Sequence, residues 1–219
     1  MLLLGLALAA TTVLGVLWAG DRSGRPAGSW ADGEVHGQWR VVFTGYGEVS
    51  GDDGAVVLEP RSADSADVTH GGLVVTTGTW ANPDFEITVR TEEQVRRGEP
   101  NPWEVGWVLW NHQDNDHFYA VALKPHGWEI SKQDPAYPGK QRFLASGTDR
   151  QFPLGRDHRV RVEHDGPRAT VSVDGAELAT VHDEERPYQH GAIGLYTEDA
   201  RVRFADLEVT GSAGGPDRG

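Results

Sequence analysis

The sequence lacks cysteine and has few basic residues. With no cysteine among its 219 residues, the chain cannot form disulfides, thiolate metal sites or a cysteine nucleophile. Its 20 Lys and Arg stand against 33 Asp and Glu, which gives a formal net charge of −13. This charge argues against general nucleic-acid binding, because phosphate neutralisation requires clustered basic side chains.

Helical patterns are also scarce, since almost no segment repeats an apolar residue with the period of a helix. Short β-prone runs alternate instead with Gly, Pro, Asn and Asp, as is typical of an antiparallel sandwich or barrel. Asp174-Gly175 and the turn at Gly166 predict two tight hairpins, so residues 159–181 are expected to form a meander. We therefore expect one all-β domain with a single core.

The ends of the chain differ in composition from its centre. Residues 2–20 are free of charge, so residues 1–20 are typical of a signal peptide or an N-terminal membrane anchor. We expect a linker at residues 21–29, the folded domain at 30–211 and a disordered tail at 212–219. Both interpretations predict a monomer that is secreted or anchored at the cell surface, touching a membrane only through the N-terminal segment.

The most informative stretch is a strand pair rich in tryptophan. We predict strands at residues 105–111 and 117–123, paired so that Asn111 lies opposite His117. Since side chains alternate between the two faces of a strand, this register separates two sets. The first is apolar and is predicted to face the core: Val105, Trp107, Leu109, Tyr119, Val121 and Leu123. The second places small residues between polar and aromatic ones and predicts a shallow groove: Glu104, Gly106, Val108, Trp110, Phe118, Ala120, Ala122 and Lys124.

A groove of this composition suits a sugar. The C–H faces of a sugar ring stack on aromatic rings, and its hydroxyls bond amide, carboxylate and ammonium groups. All three lysines lie between residues 124 and 140, close in sequence to these tryptophans. The predicted saccharide contacts are Trp103, Trp110, Asn111, Lys124, Trp128, Gln141 and Arg142. The turn before Trp128 can close in two registers, which leaves open whether Trp128 or Glu129 faces the groove.

Candidate catalytic and metal-binding residues come from the same half of the chain. Glycoside hydrolysis normally uses two carboxylates about 5 to 10 Å apart, and Glu104 and Glu129 are the acid and base candidates, with Lys132 or His117 assisting. Other carboxylates, mostly in turns, predict a structural Ca²⁺ site. The candidate calcium ligands are Asp114, Asp116, Glu198, Asp199 and Asp206.

Several motifs resemble the concanavalin A-like jelly-roll superfamily. They run from Asn101 to Trp110, from Phe118 to Lys124 with Gly127-Trp128-Glu129, from Gln141 to Ala145, and from Gly194 to Phe204. This superfamily includes laminin-G-like, lectin, glucanase and 3-keto-disaccharide hydrolase-like domains of secreted bacterial proteins. The resemblance implies a two-sheet antiparallel jelly roll with a carbohydrate-binding concave face and, frequently, Ca²⁺ at its rim. The chain departs from the glucanase branch because the catalytic Glu-x-Asp-x-Glu strand is absent from the sequence.

Three functional hypotheses follow. The first is an extracellular carbohydrate-binding domain that recognises an oligo- or polysaccharide. The second is a glycan-cleaving enzyme, a glycoside hydrolase or lyase, that uses Glu104 or Glu129. The third is a calcium-dependent structural or adhesion domain. A shared fold does not choose among them, because unrelated functions use the same fold.

Overall fold

The computed structural model describes residues 28–52 and 54–210. The leader or anchor expected at residues 1–20, most of the linker and the tail at 212–219 lie outside the described residues. Within the described part of the chain, no helix has the length and apolar character needed to cross a membrane. The domain bounds, the monomeric state and the extracytoplasmic location therefore stay predictions.

The described residues form sixteen strands and one short 3₁₀ turn at Pro138–Lys140. The strands are β1 (Val35–His36), β2 (Trp39–Phe43), β3 (Glu48–Asp52), β4 (Ala55–Glu59), β5 (Gly71–Thr76), β6 (Trp80–Ala81), β7 (Asp84–Gln94), β8 (Gly106–Asp114), β9 (His117–Lys124), β10 (Gly127–Gln133), β11 (Gln141–Gly147), β12 (His158–Asp165), β13 (Arg168–Val173), β14 (Ala176–His182), β15 (His190–Glu198) and β16 (Ala200–Val209).

These strands make two antiparallel sheets. The first has nine strands in the order β1-β2-β5-β15-β8-β9-β10-β11, and β6 pairs with β15. The second has seven strands in the order β14-β13-β12-β7-β16-β4-β3. The predicted fold class, an all-β antiparallel two-sheet sandwich of the jelly-roll type, is confirmed.

The meander predicted at residues 159–181 is present as β12, β13 and β14. Asp174 and Gly175 have φ values of 53° and 77°, as a two-residue hairpin turn requires. Val160 and Val162 are fully buried, whereas Arg161 between them is exposed. The period-two alternation in this part of the sequence therefore predicted both the strands and the face that each residue occupies.

Apolar side chains from both sheets meet in one large cluster between them. Phe85 and Ile87 of the seven-stranded sheet belong to this cluster together with Val108 and Trp110 of the other sheet. A second, smaller cluster, which includes Trp107, consists only of residues from the nine-stranded sheet and its flanking loop. Because side chains alternate along a strand, the second cluster lies on the outward side of that sheet. We call this side the nine-stranded face.

The pairing of β8 with β9 differs by one residue from the predicted register. Trp110 lies opposite Tyr119, and the register shifts again between Trp110 and Asp114. The cause is a β-bulge at Asn111, whose φ of 49° bends the strand and inserts unpaired residues. The predicted faces of β8 are therefore wrong, because a one-residue slip exchanges them. Val108 and Trp110 point into the core, and Val105, Trp107 and Leu109 belong to the nine-stranded face.

Candidate functional site

Side chains on the nine-stranded face are aligned in rows that run across the strands. One row contains Tyr196, Trp107, Ala122, Glu129 and Ser146, each opposite the next on β15, β8, β9, β10 and β11. The adjacent row contains Gly194, Leu109, Ala120, Ser131 and Phe143. Since neighbouring strands are about 4.8 Å apart, these two rows form a surface large enough for a sugar ring.

Small side chains occupy the middle of this surface. Ala120 and Ala122 of β9 are buried, and we call them the alanine floor. Trp107 lies beside the floor on β8, and Phe118 precedes it on β9. Phe143 lies opposite Ser131 on β11, and the residue is 59% exposed. Aromatic rings therefore surround two buried alanines, on the side of β9 that the sequence predicted to face outward.

An ion pair borders the alanine floor. The Lys124 ammonium lies 2.5 Å from a carboxylate oxygen of Glu129, and the two side chains are 21% and 9% exposed. Glu129 pairs with Ala122 on the neighbouring strand, which places Glu129 rather than Trp128 on the nine-stranded face. Gln141 Nε2 also donates to Ser131 Oγ over 3.1 Å. Lys124 and Glu129 therefore lie together, and Gln141 lies on the same face beyond Ser131.

A second polar group lies where β8 begins. Arg96 Nε donates to Glu104, and Arg96 Nη2 donates to Asp199 Oδ2 over 2.9 Å. Asn101 Nδ2 also donates to Glu104 Oε1 over 2.8 Å. The Arg96 side chain is 3% exposed and both carboxylates are fully buried. Glu104 Oε2 has no hydrogen-bond partner among the described residues, so one oxygen of this predicted catalytic candidate is uncommitted.

Glu198 lies beside this group and titrates near neutral pH. The Tyr196 hydroxyl donates to Glu198 Oε1 over 2.6 Å. Burial raises the pKa of Glu198 to about 7, and the negative charges of Asp199 and Glu104 add to the effect while the Tyr196 hydrogen bond opposes it. A carboxyl group with such a pKa can both take and release a proton at neutral pH.

Three predicted site residues lie in the core instead. Trp110 is fully buried between the sheets, and Trp128 packs in the same cluster. Lys132 is also fully buried, with its ammonium 2.7 Å from Asp183 Oδ2. The expectation that these residues reach the groove is wrong. For Trp110 the bulge reverses the face, and Trp128 and Lys132 point inward because they pair with the inward residues Leu123 and Tyr119.

The remaining predicted contacts lie at the margins or away from the floor. Asn111 points inward at the bulge and donates to a backbone carbonyl over 2.6 Å. His117 is the first residue of β9, next to the short turn that follows β8, and Arg142 lies 3.5 Å from the buried Asp183. Trp103 packs against the cluster of the nine-stranded face, where its carbonyl accepts a hydrogen bond from Trp107 Nε1 over 2.9 Å.

The predicted calcium ligands do not converge. Among residues 28–52 and 54–210, no three His, Asp or Glu side chains are grouped so that they could hold a metal ion. The five candidates lie in three places: Asp114 and Asp116 around the β8–β9 turn, Glu198 and Asp199 beside Arg96, and Asp206 next to Thr88. A structural Ca²⁺ stays a prediction.

Sequence reasoning missed Phe143 and Arg96. Phe143 could have been predicted, because its two-residue spacing from Gln141 puts both side chains on one side of β11, before the bulge at Leu144. Arg96 had no such signal. It is followed by Arg97, which is 78% exposed, and only the approach of distant carboxylates distinguishes the two residues.

Two surface cavities are also present. The larger, about 440 Å³, is lined by Trp30, His36, Gln38, Trp39, Ala55 and three glycines, away from the alanine floor. The smaller, about 330 Å³, is lined by Lys124, His126, Trp128, Ser146, Thr148 and two glycines. Lys124 lines the smaller cavity and also forms the ion pair with Glu129, so this cavity adjoins the Lys124–Glu129 pair.

Residues 26–210 match the family of 3-keto-alpha-glucoside-1,2-lyase-like domains. The chain belongs to this family. The match spans the whole described domain and confirms the resemblance to the concanavalin A-like superfamily. No curated protein matches the chain.

Solved structures share the fold of this lyase-like domain at low sequence identity. The carbohydrate binding module CBM66 from Bacillus subtilis has a TM-score of 0.61 and 14% identity, covering 80% of this chain and 96% of that chain. The VIP36 exoplasmic/lumenal domain, in a Ca²⁺/Man3GlcNAc-bound form, has a TM-score of 0.53 and 14% identity, covering 82% and 87%. A glycoside hydrolase family 16 endo-glucanase from Bacteroides ovatus has a TM-score of 0.52 and 10% identity, covering 78% and 94%.

Proposed function

We propose that this lyase-like domain binds a saccharide on its nine-stranded face. The observation that carries the proposal is the alanine floor, bordered by Trp107, Phe143 and the Lys124–Glu129 pair. Aromatic rings can stack on the C–H faces of a sugar, and the charged pair can bond its hydroxyls. Ala120 and Ala122 are themselves buried, so the proposed sugar contacts are the larger side chains that surround them.

The outward side of the seven-stranded sheet has a different character. It carries exposed ion pairs, in which Arg159 contacts Glu86 and Arg161 contacts both Asp84 and Glu163. Such solvated pairs contribute little to stability and offer no stacking surface. The contrast between the two outward faces supports the nine-stranded face as the binding surface.

The family description suggests which ligand to test first. The matched domains are named for 3-keto-α-glucosides, so we propose such a glucoside, with neutral oligosaccharides as the next class. The location that we propose is outside the cytoplasm, on the basis of the apolar segment at residues 1–20.

Titration calorimetry with the full chain tests the proposal. Phe143→Ala is expected to weaken saccharide binding by roughly fivefold, because a lost stacking contact removes about 1 kcal/mol. The matched control is Tyr46→Ala, since Tyr46 is an aromatic residue that is 78% exposed at a turn outside the two rows. Absence of binding to every saccharide tried, or equal losses in both variants, would contradict the proposal.

A second candidate function is 1,2-elimination from a 3-keto-α-glucoside at the same surface. The observation that favours it is the close pairing of a carboxylate and an ammonium group, Glu129 and Lys124. A C3 ketone acidifies the C2–H bond, so Glu129 can take that proton and form an enolate. The enolate then forms the C1=C2 double bond as the C1–O bond breaks, and the leaving oxygen takes a proton from Lys124. Transfer of the proton from Glu129 to Lys124 restores both groups.

Turnover separates the two candidates. Incubation with a 3-keto-α-glucoside should release the free alcohol and an enone, which is followed by its ultraviolet absorbance. Glu129→Gln should lower the rate at least about 100-fold, whereas Glu163→Gln, on the other sheet, should leave it unchanged. Loss of turnover in Glu198→Gln but not in Glu129→Gln would assign the base to Glu198. Binding without turnover would contradict the elimination activity and would support saccharide binding as the only function of this face.

A further inference from the structure

A histidine of the opposite sheet holds the bulge in β8. His164 of β12 is 5% exposed, and its Nδ1 lies 3.0 Å from both Trp110 Nε1 and Asn111 Nδ2. Its Nε2 lies 2.7 Å from the carbonyl oxygen of Gly166. Two hydrogen bonds of this imidazole therefore connect the two sheets at the bulge, and the third fixes the ring to the β12–β13 turn.

These contacts require one protonation state. An indole N–H can only donate, so Nδ1 of His164 must accept from Trp110. The Asn111 amide is oriented by the carbonyl of Tyr188, to which its Nδ2 donates over 2.6 Å, so Asn111 also donates to Nδ1. The Gly166 carbonyl can only accept, which places the hydrogen on Nε2. The imidazole is therefore neutral, and a proton on Nδ1 would abolish two of its hydrogen bonds.

The bulge determines what the nine-stranded face displays at one end. Leu109 pairs with Gly194, but His112 pairs with Ala192, so β8 has one residue more than β15 between these pairs. Both Trp110 and Asn111 can point inward for this reason, and His112 then emerges on the outward side. There its ring stacks on Phe118, with centroids 5.8 Å apart and planes inclined by 22°. Phe118 lies two residues before Ala120, the first residue of the alanine floor, along β9.

We infer that His164 is a positioning residue for the proposed saccharide site, which holds the Asn111 bulge only while its imidazole is neutral, so that acid weakens saccharide binding. This inference rests on the proposed function. His164 itself does not touch the ligand, because it lies between the sheets. It acts through Asn111 on the placement of His112 and Phe118.

Other titratable groups face His164 from the elements around it. Tyr119 of β9 lies edge-on at 5.5 Å between ring centroids. Burial lowers the pKa of His164, while the Gly166 hydrogen bond and the charges of Asp165 and Asp183 act in the opposite direction. On the outward side, burial lowers the pKa of His112 to about 4. Both histidines are therefore neutral at pH 7, and His112 must be controlled for in any acid titration.

Saccharide affinity measured from about pH 7.5 down to pH 4.5 tests the inference, since burial lowers the pKa of His164 below the ordinary histidine value of about 6.5. In the wild-type chain the affinity should fall at least several-fold on acidification. His164→Asn offers an amide oxygen as acceptor and cannot take a proton, so it should bind like wild type at neutral pH and lose the pH dependence. The His112→Gln variant should keep the pH dependence of saccharide binding. Loss of the pH dependence in His112→Gln, with retention in His164→Asn, would overturn the inference.

A measurement on the wild-type protein tests the inference even if the His164→Asn variant does not fold. The indole N–H resonance of Trp110 and the ring resonances of Phe118 should shift together as His164 titrates. If no saccharide binds at any pH, the proposed function fails, and these resonances alone decide the positioning role. Titration of His164 without any change at Phe118 would overturn it.

Discussion

Arg96 stabilises the acidic end of the nine-stranded face through a single guanidinium group. Besides contacting Glu104 and Asp199, its Nη1 donates to the carbonyls of Ser65 and Val68 over 2.7 and 2.9 Å. Five fixed donors on a planar group allow one arginine to connect this many acceptors. The loops before β5 and before β8 are therefore tied to the turn between β15 and β16.

The neighbouring arginines provide a matched test of this role. Arg96→Ala should lower the free energy of unfolding by about 3–5 kcal/mol, because it leaves two buried carboxylates without their counter-charge. Arg97→Ala should change it by less than about 0.5 kcal/mol, since Arg97 and its partner Asp64 are 78% and 70% exposed. Urea unfolding curves measure both values. Similar midpoints for the two variants would show that the buried network is not stabilising.

The strand β8 connects the core to the candidate site. Its inward residues pack against the seven-stranded sheet, and its outward residues border the alanine floor. At its first residue, Gly106, an added Cβ would lie 2.7 Å from methyl groups of both Val89 and Val202. The missing side chain lets β8 approach the opposite sheet, so this glycine sets the separation of the two sheets at the Glu104 end.

Two glycines in strands should respond differently to alanine. Gly106→Ala should destabilise the domain by about 1–3 kcal/mol through overpacking. Gly72→Ala should be close to neutral, because a Cβ there meets Leu58 and Pro60 at an ordinary 3.4 Å. Neither glycine has a positive φ, so backbone strain does not distinguish them. Equal unfolding midpoints in urea would argue against the tight contact at Gly106.

At the scale of the whole molecule, two buried groups make stability depend on pH in opposite directions. Burial raises the pKa of Glu198 to about 7, so its contribution to stability is present below its ordinary pKa and is lost as the pH rises through 7. Burial lowers the pKa of His112 to about 4, so its contribution is present above pH 6.5 and is lost as the pH falls toward 4. Each of these two pKa shifts changes the free energy of unfolding by about 3 kcal/mol at most.

Single variants should separate these opposing effects. Between about pH 7 and pH 5, acidification should reduce the stability of Glu198→Gln relative to wild type, because the gain from Glu198 is absent while the losses from the buried histidines His112 and His164 remain. His112→Gln should gain stability relative to wild type over the same range. Urea unfolding at the two pH values gives the differences. A Glu198→Gln profile parallel to wild type would mean that Glu198 does not titrate in this range.

Residues whose environment is set by their neighbours in sequence were predictable. The turn at Asp174-Gly175 and the alternation in β12 follow from backbone preferences and a period of two. The outward set on β9 was predictable for the same reason, and with it Lys124. Trp110 was not, because its face depends on a bulge at Asn111 that is held by His164, a residue 53 positions away.

The amino-acid sequence by itself determined the all-β class, the hairpins, the absence of disulfides and the superfamily, since each depends on composition or on a local pattern. Only the tertiary structure decided which side of β8 faces outward, that Lys132 is a core residue and that Glu198 titrates near neutral pH. Register, burial and the approach of distant charges set these properties. They depend on pairs of residues far apart in the chain, whose energies become defined only when the two sheets pack together.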